Sequence, residues 1–374
     1  MSYAYIGSFN YNGAEGINIC SFERETGKLC LIDTVGAGIN AGNLCVSGDV
    51  LYATDEQMGD PGRFPVAGGG RIFAFRIDKE NGKLTQISKV YTNAINPSHV
   101  TIDESGKYMI VTHFSIGPVA TRVVKDDDGK YRSELVGCDN ITSLYRLNED
   151  GSIGDLCDVH YHNDGEGPLS MIHKAYQCPG KNLFAENDLG ADRVYTFRID
   201  YEKEKLEYFG STQVCFDQEG PRHGAFHPSL PYLYINYERK GAVTRIDVSD
   251  PSCLKVVDEC EFVSDADLDR GKDAQSELMS SCDGRLLYSF MRGKGLALVF
   301  DVAEDGSLSL KQKLQLSITD PRGADFTPDK KYIIIAGHDA GKTITLAVAG
   351  DGTLSEKDES CEMPHPACTA FYIA

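Results

Sequence analysis

Short apolar runs along this chain alternate with polar residues, as expected for strands that bury one face. The period-two spacing of Ile72, Ala74 and Arg76 is one example. Enrichment in β-branched and aromatic residues also favours strands over helices. The repeated segments lack the 3.6-residue period that a helical solenoid would show. The pattern therefore predicts an all-β protein.

One phrase recurs along the chain: an apolar strand, acidic residues and glycine, then Lys or Ser followed by Leu. It first appears as residues 22–29 and returns as residues 75–84. Acidic residues and glycine are typical of tight turns between strands. The seven copies end at Leu29, Leu84, Ile153, Leu206, Leu254, Leu308 and Leu354.

A second phrase alternates with the first: a small residue or proline, a short strand, a turn, then a very apolar strand. Its clearest copies are residues 96–112, 220–235 and 320–335. Each period of about 50 residues thus contains two hairpins, which is typical of a β-propeller. The sequence predicts one domain, residues 1–374, folded as a seven-bladed β-propeller of four-stranded antiparallel blades. Further copies begin near Gly42, Pro168, Gln275 and Pro366.

The two ends of the chain complement each other. The last copy of the second phrase begins at Pro366 and lacks its partner strand, whereas the segment Tyr3–Phe9 is such a strand without a hairpin of its own. We therefore expect the N- and C-terminal strands to close one blade together, which would cover otherwise open sheet edges. One repeat is longer than the others, and its excess predicts an extended surface loop at about 115–140.

The composition narrows the classes of function. The formal net charge of −19 argues against nucleic acid or an anionic membrane surface as the main partner. The N-terminus has no signal-peptide pattern, and no apolar run reaches the roughly 18 residues of a membrane helix. The 12 scattered cysteines fit free thiols. We therefore predict a cytoplasmic protein without a metal site.

The propeller topology predicts which polar residues meet. In each blade, the start of the innermost strand and the end of the second strand share one rim near the axis. Arg222 and His223 start an innermost strand, and Glu238 ends the next strand. His173 and Arg292 reach the same rim from other repeats. Further candidates on this rim are Asp188, His99 and His338.

These motifs resemble the lactonase family of seven-bladed propellers. That family includes bacterial propeller-type 6-phosphogluconolactonases and fungal 3-carboxy-cis,cis-muconate lactonizing enzymes. The resemblance covers nearly the whole chain outside the segment near 115–140. It implies a functional set of one histidine, two arginines and one glutamate, which are His173, Arg222, Arg292 and Glu238. The matching segments include Gly220–His223, Phe226–Pro228, Asp188–Asp192, Ile235–Glu238 and Pro321–Gly323.

By this resemblance, the expected reaction is hydrolysis of 6-phospho-D-glucono-1,5-lactone, a small anionic substrate. Lactone opening needs an activated water, a stabilised oxyanion and a proton for the leaving alkoxide. Glu238 or His173 can act as the general base. Arginine remains protonated and suits anions, so we expect Arg222 near the carbonyl and Arg292 near the phosphate or carboxylate. His223 is a further expected substrate contact, and no cofactor is required.

Several alternatives remain open at this stage. The protein could be a lactonizing enzyme for a carboxylated muconate, a hydrolase of another sugar lactone, or a non-enzymatic platform for protein binding. A rim rich in His, Arg and Glu favours an enzyme, whereas an exposed apolar patch would favour a platform. Arg222 and Glu238 could also form a purely structural ion pair, and His173 could be a core histidine.

Overall fold

The computed structural model describes residues 2–10, 15–57, 69–114, 118–137, 140–162 and 169–373. Side chains are described throughout these ranges except at 118–122 and 134–137. The described residues form strands joined by turns, without an α-helix. The all-β prediction is therefore confirmed.

The first half of the chain contains fifteen of the described strands. In chain order they are β1 (Ser2–Ser8), β2 (Ile17–Glu23), β3 (Lys28–Val35), β4 (Leu44–Ser47), β5 (Val50–Asp55), β6 (Arg71–Ile77), β7 (Leu84–Tyr91), β8 (Pro97–Ile102), β9 (Tyr108–His113), β10 (Pro118–Lys125), β11 (Tyr131–Gly137), β12 (Ile141–Leu147), β13 (Ile153–Tyr161), β14 (Ile172–Gln177) and β15 (Phe184–Asp188).

The second half contains the remaining strands of the described chain. They are β16 (Arg193–Asp200), β17 (Lys205–Gln213), β18 (Pro221–Phe226), β19 (Tyr232–Tyr237), β20 (Ala242–Asp247), β21 (Lys255–Glu261), β22 (Ala274–Ser280), β23 (Leu286–Arg292), β24 (Leu296–Val302), β25 (Leu308–Gln315), β26 (Pro321–Phe326), β27 (Tyr332–Gly337), β28 (Lys342–Val348), β29 (Leu354–Glu362) and β30 (Pro366–Ile373).

Seven four-stranded antiparallel sheets form the blades. Named from the innermost strand outward, blade 1 is β4–β7 and blade 2 is β8, β9, β12 and β13. Blades 3 to 6 are β14–β17, β18–β21, β22–β25 and β26–β29, and blade 7 is β30, β1, β2 and β3. The seven innermost strands pack against one another in a closed ring. The predicted seven-bladed propeller is confirmed.

Blade 7 joins the two ends of the chain. Its innermost strand β30 pairs antiparallel with β1, and Tyr5 lies opposite Ala370 in this register. On its other side β1 pairs with β2, so residues from both ends share one sheet. The prediction that the terminal strands close one blade is confirmed. This closure removes two sheet edges that would otherwise be unpaired.

Burial decreases from the axis outward, because each sheet is covered by its two neighbours near the centre only. The second strand of blade 6, β27, is buried at all of its residues. The outermost strand of blade 4, β21, is exposed at nearly all of its residues. The apolar side chains therefore pack between adjacent blades, and the polar rims remain available for a site.

The backbone conformation of a turn explains the glycine in the first repeated phrase. It lies in the turn before the outermost strand, and Gly82 and Gly306 have φ values of 72° and 80°, which residues with a side chain rarely adopt. Its carbonyl accepts a hydrogen bond from a tyrosine of the preceding blade. Tyr5 donates to Gly82 at 2.9 Å, and Tyr234 donates to Gly306 at 2.8 Å. The recurring turn thus fastens one blade to the next.

The long repeat contains more regular structure than the expected surface loop. Within it, β10 and β11 form an antiparallel two-stranded sheet, with Thr121 opposite Leu135. This hairpin is inserted between the second and third strands of blade 2, which still pair with each other. Residues 115–117 and 138–139 of the expected loop lie outside the described residues.

Candidate functional site

A cavity of about 140 Å³ opens at one mouth of the central channel. Each of the seven blades contributes lining residues, because the start of an innermost strand and the end of a second strand meet here. The site is therefore a product of ring closure and not of any single sequence segment. Its charged and aromatic lining comprises Phe9, Glu56, His99, Phe114, His173, Arg222, His223, Glu238, Glu277, Arg292 and Arg322.

Blades 4 and 5 form what we call the clasped side of the mouth, which consists of Arg222, Glu238 and Arg292. Nε of Arg222 lies 3.0 Å from Oε2 of Glu238. Nη2 of Arg292 donates to Oε1 of the same carboxylate at 3.1 Å. Glu238 is held in place because its backbone N–H donates to the carbonyl of Gly220 at 2.7 Å. One carboxylate therefore bridges two guanidinium groups.

The charged side chains of the clasped side are largely shielded from solvent. The Arg222 residue is 5% exposed. Burial, and the neighbouring Arg292, lower the pKa of Arg222 to about 10, so it remains protonated at neutral pH. Burial alone would raise the pKa of Glu238, but Arg292 and Arg222 outweigh it and hold that pKa below its usual value. Glu238 is therefore ionised.

The two arginines retain unused hydrogen-bond donors. Nε of Arg222 is close to Glu238, but its N–H is not aligned for a hydrogen bond. Within the described part of the chain, Nε and Nη1 of Arg222 and Nε of Arg292 are buried without a hydrogen-bond acceptor. Buried donors of this kind usually have a partner. An anionic ligand in the cavity would supply the missing acceptors.

Three histidines line the mouth beside the clasped side. His173 packs edge-on against Phe114 at a centroid distance of 5.8 Å and lies 5.0 Å from His223. Burial, together with the positive charge of Arg222, holds the pKa of His173 well below its usual value. Burial also lowers the pKa of His99 well below the usual range. These imidazoles are therefore neutral at pH 7 and can accept protons.

His223 belongs to a small polar network. Its Nδ1 lies 2.8 Å from Oε2 of Glu277. Nζ of Lys174 lies 3.3 Å from the same carboxylate oxygen. The backbone N–H of His223 donates to Oδ1 of Asn236 at 2.9 Å. This network fixes the ring of His223 at the edge of the cavity. Its role as a substrate contact stays a prediction.

Blades 6, 7 and 1 form what we call the open side of the mouth, which consists of Arg322, Phe9 and Glu56. Cζ of Arg322 lies 4.4 Å from the centroid of the Phe9 ring. Glu56 reaches the cavity past Gly42, where an added Cβ would come within 1.6 Å of Oε1 of Glu56. Burial raises the pKa of Glu56 to about 8, although Arg322 and Arg222 oppose this shift.

The predicted site residues converge as the topology required. His173, Arg222, His223, Glu238 and Arg292 all line the same cavity. Their catalytic and binding roles stay predictions. Of the further candidates, His99 lines the cavity. Oδ1 of Asp188 instead accepts a hydrogen bond from the backbone N–H of Met171 at 2.8 Å and shapes a turn.

Sequence reasoning missed three charged residues of the cavity: Arg322, Glu56 and Glu277. A signal for Arg322 was present, because Pro321-Arg322 repeats Pro221-Arg222 at the start of an innermost strand. Glu56 directly follows the second strand of blade 1, the position at which Glu238 was recognised in blade 4. Glu277 lies within β22, where no turn or motif marks it.

The described residues that could hold a metal ion together lie outside the lining of the cavity. Within the described residues, the cluster of three possible ligands is Asp320, His338 and Asp339. None of the three lines the cavity. The described cysteines are free thiols, as expected. The prediction of metal-independent chemistry stays a prediction.

The described residues include no helix that is long and apolar enough to cross a membrane. The ring of seven four-stranded blades, with a charged cavity at one mouth, defines a seven-bladed β-propeller. The family model for the seven-bladed β-propeller lactonases matches residues 3–371. The chain therefore belongs to the lactonase family of seven-bladed β-propellers.

Known proteins resemble the chain over nearly its full length. The 6-phosphogluconolactonase of Bacillus subtilis (strain 168) is 24% identical over 379 residues, which cover 98% of this chain and 97% of that protein. The solved structure of a periplasmic gluconolactonase from Pseudomonas aeruginosa has a TM-score of 0.81 at 22% identity, covering 100% of this chain and 99% of that one. A candidate 6-phosphogluconolactonase of Bacteroides fragilis NCTC 9343 has a TM-score of 0.79 at 21% identity, covering 100% and 98%.

Proposed function

We propose that this protein hydrolyses a sugar lactone, with 6-phospho-D-glucono-1,5-lactone as the favoured substrate and 6-phosphogluconate as the product. The observation that carries the proposal is the cavity in which unused donors of Arg222 and Arg292 lie beside the neutral His173. Membership of the lactonase family and the named relatives support the same reaction.

His173 is the better general base of the two candidates. Its Nδ1 is buried and without a hydrogen-bond partner among the described residues, so its lone pair is available to a water molecule. Glu238 is less available as a base, because Arg222 and Arg292 each lie against one of its two carboxylate oxygens. An anionic substrate would offset the positive charge of Arg222 and raise the basicity of His173 in the complex.

The clasped side supplies the stabilisation of the oxyanion. When water attacks the carbonyl carbon, negative charge develops on the carbonyl oxygen. Buried guanidinium N–H groups of Arg222 and Arg292 are fixed donors for that charge. Glu238 holds the two guanidinium groups near each other despite their mutual repulsion. In this mechanism Glu238 is a positioning residue.

Glu56 supplies the proton for the leaving group. A carboxyl group with a pKa of about 8 is mostly protonated at pH 7. When the tetrahedral intermediate collapses, the bond from the carbonyl carbon to the ring oxygen breaks, and that oxygen takes the proton of Glu56. His173 then releases to solvent the proton that it took from water, and Glu56 regains a proton from solvent. The net reaction adds one water to the lactone.

The test compares hydrolysis of fresh 6-phosphogluconolactone by the wild type, His173→Ala and His160→Ala, corrected for spontaneous opening. His160 stacks on Tyr208 at a centroid distance of 3.6 Å in blade 2 and does not line the cavity. We expect His173→Ala to lower kcat by about 10²–10⁴-fold, the usual contribution of a general base. The control should retain wild-type kcat.

Two outcomes would contradict the proposal at different levels. A wild type without activity above background on 6-phosphogluconolactone and glucono-1,5-lactone would remove the lactonase assignment. A carboxylated muconate substrate would then be assayed for cyclisation, the alternative within the enzymes. An active His173→Ala variant would remove only the choice of base. We also propose a cytoplasmic location, although one structural relative is described as periplasmic.

A further inference from the structure

Blades 4 and 6 bring the same dipeptide to the mouth. Pro221 begins β18 and pairs with Tyr237, and Pro321 begins β26 and pairs with Gly337. Arg222 and Arg322 therefore occupy equivalent positions, one residue into their innermost strands. Both arginines line the cavity.

The residues opposite these two arginines differ. In blade 4 the residue after the second strand is Glu238, which forms an ion pair with Arg222. In blade 6 the equivalent residue is His338, which contacts other groups. Its Nε2 lies 2.8 Å from the carbonyl oxygen of Phe9, to which it donates, and its Nδ1 lies 2.8 Å from Oδ1 of Asp339.

Arg322 therefore has no carboxylate partner in the described part of the chain. Among the described residues, its guanidinium group has neither an ion-pair partner nor a hydrogen-bond acceptor, and its neighbour is the ring face of Phe9. The contact of 4.4 Å between Cζ and the ring centroid suits a cation–π interaction. That contact orients the planar group and leaves its N–H donors available.

The charges of the two sides differ as a result. On the clasped side, the charge of Glu238 offsets part of the charge of its two arginines. On the open side, the nearby carboxyl group is Glu56, which is mostly protonated at neutral pH because burial raises its pKa to about 8. Among the described residues, no carboxylate thus forms an ion pair with Arg322, although the whole chain carries −19 and the charge of Glu238 lies near enough to interact with Arg322 across the cavity.

We propose that Arg322 is the specificity-determining residue that binds the phosphomonoester group of the substrate, while Arg222 and Arg292 act at the lactone carbonyl. This inference rests on the proposed function. It moves the phosphate contact from Arg292, which is occupied by Glu238, to an arginine that sequence reasoning did not single out. Guanidinium groups bind phosphate through paired, charge-assisted hydrogen bonds, which Arg322 can offer in full.

The experiment measures kcat and KM for two substrates, 6-phosphogluconolactone and glucono-1,5-lactone, in four variants. Arg322→Gln removes the charge. His338→Glu places a carboxylate opposite Arg322, as in blade 4, and His338→Gln is its neutral control. Arg24→Gln removes one positive charge from a turn at the opposite end of blade 7, where Arg24 faces Asp329 at 3.7 Å.

We expect Arg322→Gln and His338→Glu to raise KM for the phosphorylated lactone by about 10–100-fold, the usual size of a charge-assisted pair. KM for glucono-1,5-lactone should change less than about twofold, and both control variants should match the wild type. Binding of inorganic phosphate, measured by calorimetry, should be lost in Arg322→Gln. Thermal melting of each variant verifies that it is folded.

The outcomes separate this inference from the proposed function. An equal effect of Arg322→Gln on both substrates, or no effect on either, overturns the inference while lactone hydrolysis stands. A wild type that hydrolyses both lactones without preferring the phosphorylated one also overturns it. If neither lactone is hydrolysed, the proposed function fails, and loss of phosphate binding in Arg322→Gln would still support the anion site.

Discussion

The clasped and open sides of the mouth are built from the same fold position but hold different charges. On the clasped side, Glu238 bridges Arg222 and Arg292. On the open side, Arg322 rests on Phe9 and has no carboxylate partner among the described residues. The blade therefore determines where a side chain projects, and its neighbours determine its chemistry.

The two glutamates of the mouth also occupy equivalent fold positions but differ in their ionisation. Glu238 and Glu56 both follow the second strand of a blade and both line the cavity. Burial acts to raise the pKa of both glutamates. At Glu238 the charges of Arg292 and Arg222 outweigh burial, so the pKa is lowered. For Glu56, Arg322 and Arg222 reduce the shift without reversing it. One carboxyl group is thus ionised and the other is mostly protonated, which is the usual mark of different catalytic roles.

Among the changes that test this comparison, the largest effect is expected from breaking the clasped side. Glu238→Gln removes the negative charge between Arg222 and Arg292, whose mutual repulsion then displaces the oxyanion donors. We expect kcat/KM to fall by about 10²–10³-fold, as when one oxyanion donor is lost. Steady-state kinetics on 6-phosphogluconolactone measure the change.

A matched control for Glu238→Gln is Glu204→Gln. Both carboxylates are 28% exposed and paired with an arginine, but Glu204 binds Arg146 in a turn away from the cavity. The control should keep wild-type kinetics. If Glu238→Gln retained full activity, the ion pair would be purely structural and the clasped side would have no part in catalysis.

A smaller effect is expected from Glu56→Gln, which removes the proton donor of the open side. The raised pKa of Glu56 means that the active, protonated form is lost as pH rises through about 8. Wild-type kcat should therefore fall above pH 8, after correction for spontaneous hydrolysis. The variant should have a kcat about 10–100-fold lower at pH 7 and lack this alkaline limb.

Glu186→Gln tests whether any buried glutamate would have the same effect. The pKa of Glu186 is also raised to about 8 by burial, but its carboxyl group accepts hydrogen bonds from Tyr208 and Thr142 between blades 2 and 3. The pH–rate profile of this variant should keep the wild-type limb. An unchanged limb in Glu56→Gln would assign the proton donor to another group.

The smallest effect is expected from Phe9→Leu, which removes the aromatic surface under Arg322. A cation–π contact of this kind contributes about 0.5–2 kcal/mol, so KM for the phosphorylated lactone should rise by roughly 2–30-fold. KM for glucono-1,5-lactone reports any general damage to the cavity.

Phe209→Leu is the matched control for the aromatic contact. Phe209 lies under Arg198 at 5.9 Å on the outer strand of blade 3, away from the mouth. Its loss should leave both KM values unchanged. If Phe9→Leu also left them unchanged, the orientation of Arg322 would not depend on the ring, and the open side would differ from the clasped side in charge alone.

The sequence predicted the propeller because every blade is encoded by local signals. Two of the repeated segments end at Leu84 and Leu308, which are the first residues of the outermost strands β7 and β25, as the repeated phrase indicated. The terminal pairing of β1 and β30 followed from an unpaired strand at each end. Such signals repeat because each blade must meet the same turn and burial requirements.

The same local logic reached part of the site. Knowing which strand ends share a rim was sufficient to bring His173, Arg222, Glu238 and Arg292 together. Glu277 was out of reach, because its position inside β22 carries no turn signal and only packing directs it into the cavity. The inserted hairpin of β10 and β11 was also missed, because its polar segment reads as a loop.

The number of blades, the closure of the ring and the side chains brought to one rim all follow from the amino-acid sequence, because turns and strand periodicity are local properties. Which charges meet is set by the packing of the blades around the axis. Arg222 and Arg322 occupy equivalent positions after a proline, and the contrast between Glu238 and His338 across the hairpin separates a paired guanidinium from an available one. Charge pairing depends on distances across the ring, which no repeated phrase encodes.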